Sequence, residues 1–75
     1  MYLFRSAKTG MQVSLTIEQL AKLSPPFTIL KGQVIPRTMT VMWASKINNR
    51  FDAIGSEKLK RFIELLELEE DIEVY

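Results

Sequence analysis

The stretch from Ser56 to Asp71, SEKLKRFIELLELEED, constrains the fold of this chain more than any other. Leu59, Phe62, Ile63 and Leu66 recur at i, i+3, i+4 and i+7, one face of an amphipathic helix, and Leu65 widens the stripe. Gly55 and Ser56 precede it as a stop and an N-cap. The core of the domain is expected to assemble on this helix. Its charges run against its own dipole, with Lys58, Lys60 and Arg61 near the positive end and Glu67, Glu69, Glu70 and Asp71 near the negative end. Pairs such as Glu57–Arg61 and Lys60–Glu64 offset this by about 0.2–0.5 kcal/mol each. Helix stability therefore does not explain the acidic run. It either neutralises basic residues of the first part of the chain or serves a partner.

The remaining elements follow from shorter patterns. Tyr2 to Ser6 reads as a strand with Tyr2 and Phe4 on one face. Met11, Val13 and Leu15 alternate with Gln12 and Ser14, the pattern of a half-buried strand. Ala7-Lys8-Thr9-Gly10 joins the two runs as a hairpin loop, with Gly10 free to take positive φ. An isolated hairpin is marginal in water, so a helix or further strands must cover it. Thr16 and Gln19 match a capping box at the start of a short helix, TIEQLAKL, whose buried stripe is read as Ile17, Leu20, Ala21 and Leu23. Ser24-Pro25-Pro26 ends it. Phe27–Leu30 and Gln33–Ile35 flank Lys31-Gly32 as a second hairpin, and Pro36 confines its last run to an edge or strand end.

Thr38 to Ile54 carries two patterns. At period 2, Met39, Val41 and Trp43 share a face. At period 3.6, Ala44, Ile47, Phe51 and Ile54 align, with Trp43 beside them. The second pattern runs longer and favours a helix from about Thr40 to Ile54; a strand through Thr38–Ala44 followed by a shorter helix is the alternative. Two helices meeting at Gly55-Ser56 form an αα-hairpin. Ile72, Val74 and Tyr75 form a terminal strand beside the first hairpin. The expected fold is a small single α+β domain over residues 1–75: an N-terminal β-hairpin with a short helix, a central extended segment, a C-terminal αα-hairpin and a short terminal strand.

Composition removes most chemistry. The chain holds 75 residues and neither cysteine nor histidine. Zinc, haem and iron–sulfur sites lose their usual ligands, and Ser–His or Cys–His catalysis is excluded. There is no Walker A loop, GxGxxG, GxSxG or HExxH motif. Acid–base work by Asp52 or Glu57 needs a pocket to which nothing in the sequence points. The expectation is no enzyme, no cofactor and no metal. With no secretory signal and no membrane-length apolar run, the protein is expected to be cytoplasmic.

Charge is distributed unevenly. Residues 1–50 hold seven Lys and Arg against Glu18 alone, and residues 51–75 hold three against eight carboxylates. Two functional readings follow. The first is a non-enzymatic regulatory or adaptor protein acting through protein–protein contact, with a homodimer as one form. Its candidate residues are Met39, Met42 and Trp43, types common at adaptable or hot-spot surfaces, and the acidic Glu67, Glu70 and Asp71. The alternative is a DNA- or RNA-binding regulator in which Lys46 and Arg50 share a helix face with Asn49 near them, extended by Arg37, Lys58 and Arg61. The blander reading of these residues is core packing for Trp43 and the methionines, and solvated or mutually neutralising surfaces for the charges.

Overall fold

A computed structural model describes residues 1–47 and 56–75. The elements follow in the order β1 (Tyr2–Ser6), β2 (Gln12–Leu15), α1 (Ile17–Lys22), β3 (Val34–Ile35), α2 (Arg37–Ile47), α3 (Ser56–Glu67) and β4 (Ile72–Val74). The class is the expected α+β. The strands form an antiparallel sheet in the order β2-β1-β4-β3. Side chains alternate across it. Phe4, Val13, Leu15, Ile35, Ile72 and Val74 point into the helix-covered core, and Leu3, Arg5, Gln12, Ser14, Val34 and Glu73 line the other face.

The first hairpin forms as the pattern predicts. The Ser6 N–H donates to the Met11 carbonyl at 2.8 Å and the Gly10 N–H to the Ser6 carbonyl at 3.1 Å, closing the four-residue loop. Gly10 takes φ +77°, where a side chain is strained. The α1 capping box is complete, with Gln19 N–H to Thr16 Oγ1 at 3.1 Å and Thr16 N–H to Gln19 Oε1 at 3.0 Å. The buried stripe of α1 is narrower than expected. Leu20 and Leu23 are buried, but Ile17 is 66% exposed and Ala21 is also exposed. A helix this short rests on the core at its C-terminal end only.

The second hairpin does not form. Phe27–Leu30 is not a strand, and the two-residue β3 pairs with β4 instead. The Lys31-Gly32 turn is present, with Gln33 N–H donating to the Leu30 carbonyl at 3.3 Å and Gly32 at φ +90°. The C-terminal strand takes the bonds that a hairpin partner would have taken. Gly32 N–H donates to the Val74 carbonyl at 2.7 Å, and Val74 N–H to the Gln33 carbonyl at 3.0 Å.

Thr38–Ala44 is helical, which removes the strand alternative. Helix α2 starts at Arg37, three residues earlier than expected, because the Pro36 carbonyl accepts from both Met39 N–H (2.9 Å) and Thr40 N–H (3.1 Å). Thr40, Trp43, Ala44 and Ile47 form its buried stripe. The expected continuation through Phe51 to Ile54, and the Gly55 stop, lie outside the described residues. In α3 Leu59, Phe62, Ile63, Leu65 and Leu66 are all buried, as the periodicity requires. The helix ends at Glu67, short of Asp71, and Glu69 takes a left-handed φ of +56° as the chain turns into β4.

Trp43 is the hub of the core. Its ring meets Phe62 edge-on at 5.1 Å, Phe27 at 5.8 Å and Phe4 at 6.0 Å, and Phe4 meets Phe62 at 5.1 Å. Such edge-to-face pairs add about 0.5–1.5 kcal/mol each beyond the area they bury. The indole N–H donates to the Leu23 carbonyl at 3.3 Å, which joins α2 to the end of α1 and leaves no buried polar atom unpaired there.

Candidate functional site

Three surfaces bring together the residues that the sequence singled out. The first is the acidic end of the α2–α3 pair. The Arg37 N–H donates to Asp71 Oδ1 at 3.1 Å, so a carboxylate 34 residues away caps the N-terminus of α2. Helix α2 has no acidic residue in its own first turn. Asp71, with Glu69 and Glu70 beside it, supplies the negative charge that the helix dipole favours at that end. Glu70 accepts a short hydrogen bond from the Ser6 hydroxyl. The Ser6 oxygen in turn accepts from the Lys8 N–H (3.3 Å) and the Thr9 N–H (3.2 Å) and organises the hairpin loop. Lys8 and Arg37 share the shallow groove with Glu69, Glu70 and Asp71. Glu70 and Asp71, predicted as partner residues, are thus engaged within the chain. Arg37 lies here as well, about 14 Å along the helix axis from Lys46, and does not extend a basic patch with it.

The second surface is the outer face of α2. Between Arg37 and Lys46 the helix carries no charged residue. Met39, Val41 and Met42 are 39%, 42% and 44% exposed among Thr38 and Ser45. Glu67 and Glu69 line a groove with Val41, Ala44 and Ser45. Trp43, predicted with the two methionines, is fully buried and presents nothing to a partner. The period of 3.6 separates it from them, because Trp43 shares the inward stripe with Thr40 and Ile47.

The third surface lies along β2. Leu3, Gln12, Val13 and Ser14 line a groove of about 510 Å³ with Glu57, Lys58 and Arg61 from α3. It brings Lys58 and Arg61 together as the nucleic-acid alternative required, but opposite a sheet edge. Asn49 and Arg50 lie outside the described residues. The sequence reading missed Gln12 and Ser14. Their polar, outward alternation was legible, but that β2 is an edge strand was not, since it depends on β4 taking the other side of β1.

The remaining outer face of the sheet carries an ion pair between Arg5 and Glu73 at 3.1 Å. Arg5 also donates to the Tyr75 hydroxyl at 2.8 Å and lies 5.1 Å from the centre of that ring. Its hydrogen bond to Glu73, followed by the charges of Tyr75 and Glu73, raises the guanidinium pKa further above its ordinary value. Among the described residues no group of three or more acidic side chains is arranged to hold a metal ion, and no helix is long and apolar enough to cross a membrane. No protein-family model matches the chain, and neither a curated protein nor a solved structure matches it.

Proposed function

We propose that this chain is a non-enzymatic regulatory or adaptor protein that works through protein–protein contact, with α2 as its self-association surface. The observation that carries this reading is the uncharged, part-exposed outer face of α2, Thr38 to Ser45. A solvent-facing helix surface ordinarily carries charge, and uncharged apolar faces are ordinarily covered. The occupant that fits is a second copy. A two-fold axis at Val41 sets two α2 helices antiparallel, so the face covers itself. The same axis brings Arg37 of one copy to the level of Ser45 of the other, where Glu67 lines the groove. Among the described residues Arg37 makes no ion pair within its own chain.

Sedimentation equilibrium from micromolar to millimolar protein tests it. The expected result is a dimer that Met42→Lys and Arg37→Glu each dissociate, and that Arg37→Glu combined with Glu67→Arg restores. A strict monomer over that range overturns it.

The alternative, a DNA- or RNA-binding regulator, draws its support from Lys58 and Arg61 on one groove. Phosphate-driven binding weakens steeply with salt. A gel shift with mixed nucleic acid at low salt that Lys58→Ala/Arg61→Ala abolishes favours this alternative; no shift at low salt removes it.

A further inference from the structure

We infer that the groove along β2 is a strand-addition site for an extended segment of a partner protein carrying acidic residues at every second position. The inference goes beyond the α2 reading and does not depend on it. Three observations combine. First, β2 is a terminal strand of the sheet, with no strand on its outer side among the described residues. At the hairpin end the Ser6 N–H donates to the Met11 carbonyl and the Ser6 carbonyl accepts from Gly10 N–H, so Ser6 bonds towards β2 and the register then alternates. Val13 and Leu15 therefore bond inward to β1, while Gln12 and Ser14 turn their N–H and carbonyl groups outward. A row of unsatisfied backbone groups is a template for another extended chain.

Second, α3 overhangs this edge and brings Lys58 and Arg61 to the same groove. Third, the spacings agree. Residues i and i+3 on a helix stand about 5–6 Å apart at Cβ. Alternate residues of a strand repeat every ~6.8 Å on one face. Two carboxylates flanking one residue of an added strand thus reach Lys58 and Arg61 together, while the intervening side chain faces outward beside Gln12 and Ser14. Glu57 shares the rim, so the groove is net positive by one charge and discriminates modestly.

Charge argues against a second copy here. Pairing β2 with its own two-fold mate gathers both copies of Lys58 and Arg61 on one seam. The lining argues against nucleic acid, because no aromatic side chain among the described residues faces the groove for a base to stack on.

The test is fluorescence anisotropy with the full chain and a labelled heptapeptide alternating glutamate and threonine, at low ionic strength. Binding is expected, with a loss of about tenfold in Lys58→Ala/Arg61→Ala and a gain in Glu57→Gln. A lysine–threonine peptide is expected not to bind. N-methylation of the glutamate–threonine peptide at alternate amides is expected to abolish binding in one register and spare it in the other, with the protein itself unaltered. Met42→Lys is expected to leave binding unchanged. Absence of binding at millimolar protein overturns the inference. So does equal binding of both N-methylated peptides, which marks diffuse attraction between charges. Equal binding of single-stranded DNA of the same charge overturns it in favour of nucleic acid, and a dimer that Gln12→Pro dissociates overturns it in favour of self-pairing.

Discussion

The two ends of the α2–α3 pair carry opposite charge and differ in what that charge touches. At the acidic end Asp71 caps α2 and Glu70 bonds to buried Ser6, with Lys8 and Arg37 alongside. At the basic end Lys58 and Arg61 line a groove over the free edge of β2 and form no ion pair among the described residues. The difference separates carboxylates bonded within the fold from cations that have no ion partner among the described residues. It also accounts for an α3 whose charges oppose its own dipole. The carboxylates at its C-terminus serve the N-terminus of α2 and the first hairpin, so the local mismatch is offset by a non-local fit.

Four variants test this contrast, from the largest expected effect to the smallest. Ser6→Ala removes the acceptor for Lys8 and Thr9 N–H and leaves Glu70 without its donor; chemical denaturation is expected to show a loss of about 1–3 kcal/mol. Asp71→Ala removes the cap and the favourable charge at the start of α2, for a loss of about 1 kcal/mol in the same assay. Faster amide exchange at Arg37 is expected to accompany it. Glu69→Gly relaxes the left-handed residue after α3 and is expected to raise stability by a few tenths to about 1 kcal/mol, read as an upward shift in Tm. Lys58→Ala/Arg61→Ala is expected to change stability by less than about 0.5 kcal/mol, since neither cation forms an ion pair among the described residues. A loss larger than that of Asp71→Ala would erase the distinction between the two ends.

The candidate surfaces were only partly legible in advance. Met39 and Met42 stood out by residue type and are exposed, and Lys58 and Arg61 stood out by charge and share one groove. Trp43 was read from residue type as well, but residue type does not say which way a side chain faces. The helical period of α2 decides that, and it turns the indole inward. Glu70 and Asp71 looked like a free acidic tail because their partners, Ser6 and the Arg37 N–H, are 64 and 34 residues away.

The sequence by itself determined the elements whose signals are local. The i, i+3, i+4 pattern of α3, the Thr16–Gln19 cap of α1 and the Gly10 turn each depend on contacts within a few residues, so each is written where it acts. The tertiary structure alone decided where the C-terminal strand goes. Residues 72–74 enter between β1 and β3, replace the hairpin that Phe27–Ile35 suggested and leave β2 as an edge. Strand pairing is a contest among backbone groups that are chemically alike. Its outcome rests on which apolar faces close over the core together, and no single stretch of the chain carries that information.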